Sequence, residues 1–354
     1  MNKVADHQEA VSLLQQLIAI PSLSREEDKT CALLVQYLEA QGVDVQVSGN
    51  NLWCVSEKYD DTKPNVLLNS HHDTVKPNKG YSRDPFTPEV DADGKLYGLG
   101  SNDAGGPLVS LLMTFLHFHK ESLPFNLVFA ATAEEEISGK GGIASILSQL
   151  PPIDFGIVGE PTGMQMAVAE KGLVVIDCLS KGKAGHAARK NGLNAIELAL
   201  KDLQWLKEHE FEKVSETLGK VNMSVTQIQA GSQHNVIPDR CEFVIDVRTT
   251  DAYSNEEVVA IIDEALDAQV VPRSTRLQPS GVPEDHPLVK AAEVLKIAQF
   301  GSPTLSDQAL MPFPTIKMGP GLSERSHTAD EFIYVSEIAA GIEGYIQLIK
   351  NLKL

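Results

Sequence analysis

Apolar residues recur at helical spacing near the start of the chain. Val11, Leu14, Leu17 and Ile18 would share one face, and Pro21 ends the pattern. A second helix is expected over residues 26–41, stopped at Gly42, with short strand signals at 43–47 and 52–55. Three apolar runs come next: Val66-Leu67-Leu68, Leu127-Val128-Phe129-Ala130 and Phe155-Gly156-Ile157-Val158. They are continuous rather than alternating, as strands buried on both faces of a parallel sheet are. Helical stretches such as 107–118 lie between them, which predicts an α/β fold with a mostly parallel sheet.

The pattern changes after Gly172. Residues 173–179 read as a strand, 191–208 as a helix, 221–228 and 241–247 as strands, and 254–268 as a helix. Ser254 and Glu257 have the spacing of a capping box. This β-α-β-β-α order predicts a small ferredoxin-like α+β lid. After Leu277 the α/β character returns, with a helix over 287–299 and a strand over 315–318. A final helix places Ile338, Ile342, Tyr345, Ile349 and Leu352 on one face. The expected organisation is a catalytic domain from residues 1–172 and 278–354, with 173–277 inserted as a lid.

Length and charge narrow this picture. At 354 residues the chain is longer than most single domains. Its net charge of −18 disfavours nucleic acid and anionic membranes as partners. Cys31, Cys54, Cys178 and Cys241 form no CxxC pair and read as small buried hydrophobes in a reducing compartment. The opening MNKVADHQEAVSLLQQL lacks the apolar core of a signal peptide, and no apolar run is long enough to span a membrane, so a cytoplasmic address is expected. The sequon at Asn222 would then carry no glycan.

Acidic and imidazole residues cluster in a particular way. His71 and Asp73 follow the run 66–68, Glu134, Glu135 and Glu136 follow 127–130, and Glu160 follows 155–158. All lie beyond the carboxyl ends of expected parallel strands, where open α/β sheets place their sites. Asp103 sits in a glycine-rich stretch, 98–106, that lacks the spacing of a nucleotide loop. His327 follows the strand 315–318. Taken singly, each residue has a bland reading: a surface histidine, a solvated acidic run. Three groups behind three apolar runs are harder to dismiss, because three glutamates directly after a buried strand must be paired or point into a site.

These residues carry a resemblance. Ser70-His71-His72-Asp73-Thr74-Val75, Gly98–Gly106, Thr132-Ala133-Glu134-Glu135-Glu136, Gly159-Glu160-Pro161-Thr162 and Ser326-His327-Thr328-Ala329-Asp330-Glu331 resemble, in order, the sequence blocks of the M20 family of metallopeptidases and deacylases. The resemblance implies a zinc-exopeptidase-like catalytic domain with an inserted lid and two Zn²⁺ ions per chain, with Co²⁺ or Mn²⁺ as substitutes. Asp103 would bridge the metals, His71 and Glu160 completing one site and Glu136 and His327 the other. Three carboxylates and a bridging hydroxide would balance the four charges of two zinc ions. Asp73 would hydrogen-bond the second nitrogen of His71. Glu135 would be the general base, taking the proton of a metal-bridging hydroxide's parent water and passing it to the leaving amine. This register rests on Thr132-Ala133, because the family usually has Asp at the position of Glu134.

The lid carries further matches. Gly185-His186-Ala187 resembles the family's lid histidine, which helps hold the oxyanion, in dimeric members from the partner subunit. Asn235 and Arg248 lie in matching blocks and would bind substrate, Arg248 by gripping a carboxylate. A salt bridge from Arg248 to Asp246 or Asp239 is the plainer alternative. Gln229-Ala230-Gly231 and His234 depart from the family pattern. The resemblance is nearest to the acetylornithine deacetylase branch of arginine biosynthesis. It implies a small N-acyl amino acid substrate, N-acetyl- or N-succinyl-ornithine, and a homodimer formed through the lid. The alternatives are a succinyl-diaminopimelate desuccinylase, an M20 dipeptidase or carboxypeptidase, and an inactive homologue. The complete ligand set and Glu135 argue against the last.

Overall fold

A computed structural model describes residues 7–189 and 191–354. The first six residues, which begin the stretch read for a leader, lie outside it. The chain divides into two compact units. One runs up to Val168 and continues through Gly281–Phe300 and Ser306–Leu354; the other comprises Ala169–Ser280 and Gly301–Leu305. Among the described residues no helix is long and apolar enough to cross a membrane.

The first unit is built on a nine-stranded sheet. Its centre is the parallel set Asn126–Thr132, Asn65–His71, Phe155–Gly159 and Thr315–Met318, neighbours in that order. Every residue of these four strands is buried. Alternation is absent because helices and loops cover both faces. Strand Asn51–Val55 joins antiparallel to Asn126–Thr132, and Gln46–Ser48 pairs with it at the edge. Helix Gly106–Phe118 packs against helices His7–Ile18 and Val335–Lys350. The first helix buries Ala10, Leu13, Leu14, Leu17 and Ile18, and the last buries the expected Ile338, Ile342, Tyr345 and Ile349. The expected strand at 43–47 begins only at Gln46, because Val43 is buried closing the end of helix Asp28–Ala40.

The second unit is a four-stranded antiparallel sheet in the order Asn222–Ala230, Arg240–Thr249, Gly172–Lys181, Gln269–Pro272. With helices Ala195–Glu208 and Asn255–Ala265 the chain order is β-α-β-β-α-β, the first and third strands central, which is ferredoxin-like. Both central strands alternate buried and half-buried residues. Their inner face, with Val174, Ile176, Cys178, Phe243, Ile245 and Val247, packs with Ala199 and Leu206 of one helix and Val258 and Ile262 of the other. The capping box is formed: Glu257 N–H donates to Ser254 Oγ at 3.1 Å and Ser254 N–H to Glu257 Oε2 at 2.8 Å. The fourth strand is short, ends in proline and shows no period in the sequence.

Further boundaries differ from the sequence pattern. The helix expected over 287–299 spans Pro287–Leu295, where Lys296 turns left-handed (φ 58°) and Gln299–Ser302 becomes a strand. Residues 301–305, expected in the catalytic domain, cluster with the second unit. There Lys171 N–H donates to Ser302 O at 3.0 Å, and Gly301 lies so close to the Thr217 carbonyl that a Cβ would meet it. All four cysteines are free and buried, and burial pushes their thiols upward, Cys178 to about 12.

Candidate metal centre

Strand ends and backbone turns put the first unit's acids and imidazoles together. His71 is the last residue of its strand, Glu160 directly follows Phe155–Gly159, and Glu135 and Glu136 begin a short turn three residues after Asn126–Thr132. Asp103 lies in a tight turn over Ser101–Gly105 that leads into helix Gly106–Phe118. Glycine is required at two points before it. Gly98 (φ 145°) would place a Cβ 2.3 Å from Ile18 Cγ2, and Gly100 (φ 75°) would place one 2.6 Å from Thr74 Cγ2.

Two overlapping donor groups result. His71, Asp103 and Glu160 form one and Asp103, Glu136 and His327 the other, with one ligand atom of each residue within 4.8 Å of the others in its group. His71 Nε2 lies 3.3 Å from Asp103 Oδ1 and 3.7 Å from Glu160 Oε1. His327 Nε2 lies 2.9 Å from Glu136 Oε2 and 3.7 Å from Asp103 Oδ2. Glu135 Oε2 stands 3.8 Å from His71 Nε2 without belonging to either group. Glu134 turns away: its carboxylate accepts the Gly141 N–H at 3.2 Å and packs against Gly139.

The electrostatics of this cluster are strained. Burial drives Glu135 well above the ordinary glutamate range, opposed by His71 and reinforced by Glu160 and Asp307. Burial likewise pushes Glu160 up to about 8 and raises Glu136. Asp103 is held low: burial opposes this, but His71, the Ser326 hydroxyl and His327 outweigh it. His327 rises to about 9, chiefly through its bond to Glu136. Four half-buried carboxylates thus face two imidazoles, His71 buried and His327 exposed. A cation would offset that excess of negative charge. Nitrogen and oxygen donors in two groups sharing one carboxylate suit Zn²⁺, Co²⁺ or Mn²⁺.

Asp73 does more than its expected part. His71 Nδ1 lies 3.0 Å from the Asp73 backbone carbonyl, and the Asp73 carboxylate is farther, at 3.4 Å. That carboxylate also accepts the Ser24 hydroxyl at 2.7 Å and the N–H groups of Glu135 and Glu136 at 3.0 and 3.2 Å. It therefore holds the turn that carries Glu135 and Glu136. The carbonyl fixes the His71 tautomer, since Nδ1 must donate and Nε2 is left free to ligate.

Two supporting residues had no role assigned from the sequence. Glu331, 2% exposed, accepts N–H groups of Gly100, Asn102 and Asp103. Arg325 donates twice to Glu337, at 2.6 and 3.1 Å, and stacks 4.7 Å from the Phe332 ring. It braces the loop in which His327 adopts a left-handed φ of 60°. The advance signal was that Glu331 ends the final histidine block and Arg325 directly precedes it.

The remaining candidates belong to the second unit. Gly185–His186 pairs antiparallel with Val236–Ile237, and Ala187 N–H donates to Asn235 O at 3.1 Å, so His186 and Asn235 are neighbours. The Ala188 N–H donates to His186 Nδ1 at 3.1 Å, which leaves Nε2 as the protonated, donating nitrogen of the neutral ring. Arg248 makes the plainer contact left open by the sequence. Its Nε and Nη2 donate to Asp246 Oδ1 and Oδ2 at 2.8 and 3.1 Å.

Comparison with known proteins agrees with this geometry. Residues 67–351 match the model of peptidase family M20/M25/M40. An acetylornithine deacetylase of Proteus mirabilis is 28% identical, with 96% of each chain covered. One from Pectobacterium carotovorum is 30% identical, covering 91% of this chain and 92% of the relative. Among solved structures, a tripeptidase of Staphylococcus aureus superposes with a TM-score of 0.78 at 21% identity, covering 98% of both chains. A Bacillus subtilis protein described as a dinuclear metal-binding M20 peptidase superposes with a TM-score of 0.73 at 17% identity, covering 97% of both chains. With its family blocks spread over nearly its whole length, this chain belongs to peptidase family M20/M25/M40 and is a metal-dependent amidohydrolase.

Proposed function

We propose that this enzyme hydrolyses the amide bond of an N-acyl amino acid, with N-acetylornithine the first candidate and N-succinylornithine the second, in arginine biosynthesis. The observation that carries the reading is the pair of donor groups sharing Asp103, with the Glu135 carboxylate 3.8 Å from His71 of the first. Acetylornithine deacetylases at 28–30% identity over more than nine-tenths of the chain support the substrate class.

In this reading His71, Asp103 and Glu160 hold one divalent ion, and Asp103, Glu136 and His327 hold the other. Two such ions supply acidified water and polarisation of the scissile carbonyl. Glu135 accepts the proton of the attacking water at its carboxylate and delivers it to the leaving nitrogen. Its burial suits the task, because a raised affinity for protons lets one carboxylate serve as base and then as acid. Asp73 keeps Glu135 and Glu136 in place through their N–H groups.

The lid, residues 173–277 in this proposal, completes the reaction. By the family resemblance His186 would donate from Nε2 to the developing oxyanion, in its own or the partner subunit's site, Asn235 would orient substrate, and Arg248 would engage the substrate carboxylate through N–H groups not bound to Asp246. A homodimer would form through the lid. Its edge strand Asn222–Ala230 is almost wholly exposed, and Leu193, Ile196 and Leu200 add exposed apolar surface. A nine-residue exposed edge without proline or net charge calls for a partner strand.

The deciding experiment is a parallel assay of the metal-loaded enzyme on N-acetylornithine, N-succinylornithine, N-succinyl-diaminopimelate and a di- and tripeptide panel. Cleavage of an acylornithine at the highest kcat/KM supports the proposal. Cleavage of peptides alone would overturn it.

A further inference from the structure

The His327 loop and the Asp103 turn are far apart in sequence yet tied together at both ends of the loop. At one end the Asn102 side chain bonds Leu322 in both directions: Nδ2 donates to Leu322 O at 3.1 Å and Oδ1 accepts the Leu322 N–H at 3.0 Å. At the other end lies Glu331. Its Oε1 accepts the N–H groups of Asn102 and Asp103 at 2.8 and 2.9 Å, and its Oε2 accepts that of Gly100 at 3.0 Å. Its own carbonyl accepts the Gly98 N–H at 3.0 Å. The glycines at 98 and 100 allow the turn in which these N–H groups converge on one carboxylate, as backbone nests do for anions.

We propose that Glu331 is a positioning residue for the metal centre. Its carboxylate sets where the shared ligand Asp103 stands relative to His327. The inference rests on the two-metal reading above. The physical ground is that the carboxylate bonds the backbone of the one residue common to both donor groups, while its own chain continues directly into the His327 loop. A displacement of Glu331 therefore changes the spacing between the groups rather than either group alone. A carboxylate is needed because three N–H donors require two accepting oxygens. A glutamine at this position would turn an NH₂ group toward at least one of them. Such residues behind metal ligands typically alter affinity by about 10- to 100-fold.

The test compares full-length wild type, Glu331→Gln and Asp103→Asn. Zn²⁺ affinity and stoichiometry are measured by competition with a chromophoric chelator. The visible spectrum of the Co²⁺-loaded protein and the thermal midpoint of the metal-free protein are recorded alongside. The expected result for Glu331→Gln is a roughly 10- to 100-fold loss of affinity for at least one ion and a shifted cobalt spectrum. Wild-type affinity and an unchanged cobalt spectrum, even with a lowered midpoint, would mean a merely structural role and overturn the proposal. If Glu331→Gln does not fold, Glu331→Asp keeps the charge but withdraws the carboxylate by one methylene, and it is judged by the same two outcomes. Asp103→Asn separates the two levels. If it binds metal as wild type does, the two-metal reading itself fails. If it loses metal while Glu331→Gln does not, only the positioning role fails.

Discussion

The two largest sheets among the described residues solve the same packing problem in opposite ways. The central strands of the first are parallel and buried along every residue, so their side chains belong to the core. The candidate site residues of this unit sit at the carboxyl ends of those strands and the turns just beyond them: His71, Glu135, Glu136 and Glu160. The second sheet has helices on one face only. Its other face keeps polar residues in mid-strand, including Asp177, Glu242, Asp246 and Arg248. A two-sided core thus concentrates functional groups at strand ends, where loops can converge on a point. A one-sided core spreads them across a surface.

The comparison can be broken by substitution. The largest effect is expected at a strand end: Glu135→Gln should keep metal content and lower kcat by about 10²–10⁴-fold. Turnover near the wild-type level would remove Glu135 from the chemistry. In the second unit, His186→Ala should lower kcat by about 10²–10³-fold with metal content unchanged. A loss of bound metal in that variant would show that His186 supports the centre in another way.

Within the strands themselves the two sheets should respond differently. Leu68→Ala, in a fully buried parallel strand, should cost about 2–5 kcal/mol by chemical denaturation. Val244→Thr, on the half-buried face of the second sheet, should stay within about 0.5 kcal/mol. Equal costs would mean that the second face is as closely packed as the first.

The smallest effect concerns protons. His327 and Glu160 rise to about 9 and about 8 in the metal-free protein, so both hold protons at neutral pH, and coordination requires their release. Metal uptake at pH 7 should therefore release protons, and apparent affinity should rise as pH increases through about 8 to 9. Calorimetry in two buffers of different ionisation enthalpy measures this directly. Identical heats in both would refute it.

Much of the site was legible in the chain because short range suffices to read it. An apolar run followed by an acid or imidazole is a local pattern, found here three times, and five family blocks in order resemble those of one family. Boundaries were less legible where a single residue decides them. Lys296 ends a helix by turning left-handed, although the apolar pattern continues past it. The strand Gln269–Pro272 is too short to show a period, and it exists because Gly172–Lys181 offers it an edge.

The sequence by itself determined which stretches would be buried, since periodicity acts between near neighbours, and its family blocks implied which residues would ligate metal. Only the tertiary structure decided what holds those residues in place. Asp73 was expected only to orient His71; its carboxylate, 3.4 Å from the imidazole, also gathers the N–H groups of Glu135 and Glu136, and its backbone carbonyl lies nearer the ring. Glu331 lies 228 residues from Asp103 and is bonded to its backbone. No spacing rule connects positions so far apart. Their bonds form because a buried N–H must find an acceptor in whatever chain segment folding brings beside it.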